Sequence, residues 1–93
     1  MASFITRVEL HKAKAKDEDY DTLHKAMEKL GFIRTIKDSD GKTHRLPTAE
    51  YNRSADGLAI QKVFDDANAA AASSTKLKYG ILVTEYVRLK YLL

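Results

Sequence analysis

The chain has 93 residues, no cysteine, and 16 Lys and Arg against 13 Asp and Glu, for a formal net charge of +3. Its length fits one domain over residues 1–93, its lack of cysteine excludes disulfides and thiolate metal sites, and no apolar run reaches the roughly 18 residues of a membrane span. With no secretory signal after Met1, we expect a cytoplasmic protein whose mild positive charge permits nucleic-acid binding without requiring it.

The first third of the chain predicts a strand and an amphipathic helix. Residues 3–10 alternate in the manner of a half-buried strand, and the following side chains fall on one side: Phe4, Thr6, Val8 and Leu10. Acidic residues 17–19 favour a helix start, and Gly31 favours its end. The apolar stripe of this helix consists of Tyr20, Leu23, Met27 and Leu30.

The middle of the chain predicts a β-hairpin followed by a loop. Residues 32–38 are rich in β-branched side chains and predict a second strand, and residues 39–42 have hairpin-turn chemistry. A third strand is expected over residues 43–51, although Pro47 weakens its ladder or marks a bulge. The polar run 52–57 is expected to be a loop.

The last third predicts a second helix, over residues 58–73, and a last strand, over residues 77–87. The inner face of the helix is expected to carry Ile60, Val63, Phe64, Ala67 and Ala71. One side of the strand carries Leu77, Tyr79, Ile81 and Val83. We expect the core to include Leu23, Met27, Val63, Phe64, Ile81 and Val83.

Two strand–helix–strand units joined by a hairpin predict an α+β, ferredoxin-like βαββαβ domain. Right-handed crossovers would place both helices on one face of a four-stranded antiparallel sheet. The other face would then be bare, with Arg7 and Glu9 beside Thr84 and Tyr86. Such a face binds a ligand, pairs with another copy, or is simply solvated.

The histidines do not predict a metal site. His11, His24 and His44 show no spacing typical of zinc ligands, and the calcium-like start at residues 38–41 lacks the closing acid, since position 49 is alanine. His24 is expected to lie at a burial boundary. His44 is either a surface histidine or a general acid/base in phosphodiester cleavage.

Five arginines form the more suggestive pattern: Arg7, Arg34, Arg45, Arg53 and Arg88. Arginine is suited to bidentate phosphate contact, and the interleaved Tyr51, Tyr79 and Tyr86 could stack bases. The alternative is ordinary cross-strand charge pairing. No nucleotide-binding, dinucleotide-binding or hydrolase motif is present, and we expect no cofactor.

Several stretches carry a family resemblance: TRVELH (6–11), DYDTLHKAMEKLGFIRTI (19–36), GKTHRLPTAEYN (41–52) and YGILVTE (79–85). Together with the alanine-rich helix, they resemble the GhoS-like type V antitoxin endoribonucleases, and LPTAEY is the most specific piece. The resemblance covers most of the chain and implies a ferredoxin-like fold. It also implies an antitoxin that binds and cleaves RNA, such as the mRNA of a membrane toxin.

One departure from related nucleases bears on the chemistry. The CRISPR-associated nucleases of similar shape hold a metal with an aspartate at the end of the first strand, where this chain has Glu9-Leu10-His11. The expected mechanism is therefore metal-independent: a base takes the ribose 2′-OH proton and a cation stabilises the phosphorane. The candidate catalytic residues are His44 and Arg45, and the candidate RNA-binding residues are Arg7, Arg34 and Tyr86.

A non-catalytic module is the alternative, in which the bare sheet face or the sheet edge binds a protein partner. The segment 87–93 has five apolar residues in an alternating pattern. We expect it to fold beside an edge strand or to add to the sheet of a second copy. A twofold homodimer is the favoured outcome.

Overall fold

The computed structural model describes residues 1–11 and 17–87, apart from the side chain of Asp17, and the predicted C-terminal segment 88–93 lies outside this part. The strands are β1 (Ala2–Leu10), β2 (Thr35–Lys37), β3 (Thr43–Arg45), β4 (Glu50–Ala55) and β5 (Tyr79–Tyr86), and the helices are α1 (Asp17–Lys29) and α2 (Ile60–Ser74). The α+β class with antiparallel strands is confirmed. Neither of these two helices has the length and apolar character needed to cross a membrane.

The strands form two sheets where one was predicted. A three-stranded sheet has the order β4-β1-β5, with β1 antiparallel to both neighbours, and β2 pairs with β3 in a separate two-stranded ribbon. A single bridge between Ile33 and Asn52 joins the ribbon to β4. The described residues therefore form a three-stranded sheet and a separate ribbon, and not the predicted four-stranded sheet.

The predicted third strand is two strands, and residues 52–55 of the predicted loop 52–57 belong to the second of them, whereas residues 56–57 form a turn. A turn at Pro47, closed by the backbone N–H of Glu50 donating to the Pro47 carbonyl at 2.9 Å, separates β3 from β4. Proline has no N–H to give to a ladder, which explains the break. The polar side chains of β4 had suggested a loop. The side chains of residues 52–54 all have hydrogen-bond partners: Asn52 donates to the Thr35 carbonyl, Arg53 to the Asp66 carboxylate, and Ser54 to the Ser3 hydroxyl.

The core lies between the two helices and one face of the three-stranded sheet. The predicted alternation of β1 is confirmed, because the four side chains predicted to lie on one side are all buried: Phe4, Thr6, Val8 and Leu10. Leu23, Met27 and Val63 are fully buried, as predicted. Ile81 and Val83 are only partly buried and pack against this cluster from β5.

The prediction that Phe64 is a core residue is wrong. Its side chain is 40% exposed, and Ile60 is 49% exposed. The buried line of α2 runs instead through Val63 and three alanines, Ala67, Ala70 and Ala71. Small side chains on that line bring α2 close to the sheet, and Phe64 lies at the flank of the helix beside β5.

Candidate anion-binding cleft

The sequence-predicted site residues fall on two separate surfaces. Arg7 and Tyr86 are on the sheet face that points away from the helices, because their strand neighbours Thr6 and Glu85 belong to the opposite face. His44 and Arg45 belong to β3 of the ribbon, and Arg34 directly precedes β2. The structure therefore does not bring all five together.

On the bare sheet face, Arg7 is surrounded by acidic groups. Its Nη2 atom lies 3.1 Å from the Glu9 carboxylate, and its cross-strand neighbour on β4 is Glu50. The Tyr86 hydroxyl donates a hydrogen bond to the Asn52 side-chain oxygen at 2.8 Å. One carboxylate paired with the guanidinium, and a second acidic residue opposite it on β4, make this part of the face unfavourable for a phosphate.

The hairpin between β2 and β3 is organised by Asp38. One carboxylate oxygen accepts the backbone N–H groups of Asp40 and Lys42 at 2.9 and 3.0 Å, and the other accepts from His44 Nε2 at 2.7 Å. The hydrogen bond from His44 is the largest reason that the pKa of Asp38 is lowered. The carboxylate fixes the orientation of the imidazole, as second partners do for working histidines.

A cleft opens between α1 and the ribbon. Its volume is about 400 Å³, and it is lined by Tyr20, Asp21, His24, Arg34 and Thr48. The first three come from consecutive turns of one face of α1, whereas Arg34 precedes β2 and Thr48 lies in the turn before β4. The cleft thus combines one guanidinium, one imidazole and hydroxyl groups with a single carboxylate.

Arg34 is the strongest sign that this cleft binds a ligand. Its Nη2 atom donates a long hydrogen bond, 3.5 Å, to the Leu46 carbonyl. Its Nε atom is buried, and no acceptor for it exists among residues 1–11 and 17–87. A buried donor without an acceptor is costly. The guanidinium of Arg34 also lines the cleft, so an oxygen ligand there would meet a donor group whose own hydrogen bonding is incomplete within the described residues.

His24 faces Arg34 across the cleft and is held from behind by Tyr51. Its Nδ1 atom lies 2.5 Å from the Tyr51 hydroxyl oxygen, and the two rings meet edge to face with centroids 5.5 Å apart. The pKa of His24 lies below its usual value, first because the ring is buried and second because the Arg34 charge is near. Burial likewise raises the pKa of Tyr51, which is fully buried.

Two sequence interpretations change as a result. Tyr51 cannot stack a base, because its ring lies in the core. His24, expected only at a burial boundary, lines the cleft together with Tyr20. A signal was present in the sequence, since residues four apart share a helix face and Tyr20 and His24 are four apart. The partner on β4, 27 residues away, was not visible in it.

The described residues contain no cluster of three or more potential metal-binding side chains. In comparisons with known proteins, no protein-family model and no curated sequence matches the chain.

Proposed function

We propose that this protein binds RNA through the cleft between α1 and the ribbon and cleaves it, as an endoribonuclease-type antitoxin acting in the cytoplasm on an RNA such as a toxin mRNA. The observation that carries the proposal is the Arg34 guanidinium, which lines the cleft beside His24 and is incompletely hydrogen-bonded within the described residues. A guanidinium in that state is suited to a phosphate oxygen. The sequence resemblance supplies the choice of RNA over other phosphate ligands.

We also infer a ferredoxin-like relationship for the fold. The sheet order β5-β1-β4 continues to the ribbon through the bridge between Ile33 and Asn52. The order of a ferredoxin-like sheet would result if that bridge were extended into a ladder. Both helices pack on the same side of β1, which supports this inference.

The proposed chemistry uses the ribbon residues together with the cleft. Ile36 pairs with His44, and the Leu46 N–H donates to the Arg34 carbonyl in the same register, so Arg34 and His44 share one face of the ribbon. In this proposal His44, oriented by Asp38, takes the 2′-OH proton, and the 2′-oxygen bonds to phosphorus. The bond from phosphorus to the 5′-oxygen then breaks, and the leaving 5′-oxygen takes a proton from water. Arg34 stabilises the charge on the phosphorane, whereas Arg45, which pairs with Thr35, lies on the other face of the ribbon.

The test is binding and cleavage of labelled single-stranded RNA, with and without EDTA. Arg34→Ala should weaken binding by about tenfold, the usual value of one charge-assisted hydrogen bond. His44→Ala should abolish cleavage while leaving binding largely intact. Lys62→Ala, which removes an exposed cation from α2, is the matched control and should change neither.

Salt provides the second arm of this test. Affinity should fall as salt rises, because phosphate contacts release counterions from the RNA. Affinity that is equal at low and high salt, or no binding at low salt, would reject RNA as the ligand.

A protein-binding module is the second candidate, and exposed apolar side chains on the bare sheet face favour it. Leu82 is 62% exposed and Ile33 is 50% exposed. Ile33 pairs with Asn52, and Leu82 with Arg7, so both side chains lie on the bare face. If this candidate is correct, Leu82→Asp should abolish binding of the protein partner in cells, and Arg34→Ala should leave that binding unchanged.

A further inference from the structure

The surroundings of the hydrogen bond between Tyr51 and His24 determine which of the two residues donates the hydrogen. The Tyr51 hydroxyl is buried, and its one partner in the described part of the chain is His24 Nδ1 at 2.5 Å. If the imidazole donated, the phenol proton would remain buried without an acceptor, at a substantial cost. The tyrosine therefore donates to Nδ1.

This direction fixes the form of the imidazole. A nitrogen that accepts a hydrogen bond carries no proton, so the proton of neutral His24 is on Nε2. Protonation of Nδ1 would put two donors against each other, because the phenol resists ionisation in the core. The neutral ring thus presents an Nε2–H donor on its other side.

The charges around His24 act in both directions. Asp21 and Glu28 on α1 raise the pKa of His24, whereas Arg34 and Arg45 from the ribbon side lower it. The net direction is downward, with burial as the largest cause. Charges and hydrogen bond together favour an uncharged imidazole at neutral pH.

We propose that Tyr51 is a positioning residue that keeps His24 as an uncharged Nε2–H donor to a phosphate group held by Arg34. This inference rests on the proposed RNA function and assigns His24 and Tyr51 to its phosphate site. In this site the positive charge comes from arginine, and the imidazole contributes a directed hydrogen bond. It acts as a donor in this form and not as a base, since its unprotonated nitrogen is engaged with Tyr51.

The test combines the free protein and one probe. Nitrogen-15 NMR of the free protein should show the Nε2–H form of His24 at pH 7.5, and Tyr51→Phe should raise the pKa of His24. The probe is a 2′-O-methyl uridine tetranucleotide, which cannot undergo 2′-OH attack and whose phosphodiesters keep their charge over pH 5–8. The pH at which its affinity begins to rise on acidification should be higher in Tyr51→Phe than in the parent.

The controls separate this role from a purely structural one. Tyr79→Phe removes a hydroxyl that donates to Asn68, away from the cleft, and should leave the pH profile unchanged. His24→Gln retains an N–H donor, whereas His24→Leu does not, so only the leucine variant should lose affinity, by roughly 2- to 10-fold. A uniform loss of affinity at every pH in Tyr51→Phe would indicate mere destabilisation and overturn the proposal.

The two proposals fail in different ways. An Nδ1–H form of His24, or an unchanged His24 pKa in Tyr51→Phe, would overturn the role of Tyr51 even if RNA binds. No binding of the tetranucleotide by the parent would instead overturn phosphate binding in the cleft, whatever the form of the imidazole.

Discussion

The Arg53 side chain on β4 contacts both helix α2 and the aromatic ring of Phe32. Its Nη1 atom donates to Asp66 of α2 at 2.7 Å, and its guanidinium lies over the Phe32 ring at 5.1 Å from the centroid. Burial would raise the pKa of Asp66, but hydrogen bonds from Arg53 and Lys62 outweigh it and the pKa is lowered. The ion pair therefore stabilises the fold above the ordinary carboxyl pKa and is lost as pH falls through the lowered value.

Phe32 and Phe64 differ in burial, and this difference predicts how much each ring stabilises the fold. Phe32→Ala should lower the free energy of unfolding by about 3–5 kcal/mol, because Phe32 is fully buried. Phe64→Ala should lower it by only about 1 kcal/mol, because that ring is 40% exposed and loses less contact. Urea unfolding of both variants measures the difference, and equal losses would show that the burial of these rings is misassigned.

The sequence predicted single residues well where periodicity alone decides burial. The alternation of β1 identified Phe4 and Val8 correctly, since strand geometry places every second side chain on one face. Phe64 was misjudged because more than one face of α2 has apolar residues at helical spacing. The face with the alanines is the buried one, since small side chains allow a close approach to the sheet. His24 was missed because its environment depends on Tyr51, a tertiary neighbour.

At the scale of elements, the ribbon and α1 jointly make the cleft. The strand-three prediction of the sequence ran through Pro47 without identifying the turn there, so it misplaced β4 and could not show that Thr48 lines a cleft. The hairpin turn itself was predicted correctly from its residues, since Gly41 has a φ of 82°. Turn chemistry is local, whereas the packing of a helix against a ribbon is not.

The hairpin should resist acid, and His44 should be the reason. The pKa of Asp38 is lowered chiefly by the His44 hydrogen bond, so its contacts persist below the ordinary carboxyl pKa and are lost as pH falls through the lowered value. The amide shifts of Asp40 and Lys42, followed by NMR over pH 2–6, would report this transition. In His44→Ala it should move to higher pH; an unmoved transition would contradict the assignment.

At the scale of the whole molecule, the two sheet faces differ in character. One is covered by both helices, and the other carries exposed Leu82 and Ile33 together with the Arg7–Glu9 pair. At the margin of the three-stranded sheet lies β5, which pairs with β1 on one side. This is the arrangement from which association of two copies would start.

We propose a twofold homodimer that forms beside β5, where Val87 is 94% exposed. Light scattering at high micromolar concentration should give twice the mass of the chain. Deleting residues 88–93 should return the mass to that of a monomer with an unchanged circular dichroism spectrum. A monomeric intact protein would contradict the proposal, as would a dimer that survives the deletion.

Asn52 links events at the sheet margin to the cleft. Its backbone bridges Ile33 beside Arg34, its side-chain nitrogen donates to the Thr35 carbonyl, and its side-chain oxygen accepts from Tyr86 on β5. The end of β5 is therefore connected, through the single residue Asn52, to the two residues that flank Arg34. Asn52 is thus the residue through which a change at the end of β5 would reach the residues beside the cleft.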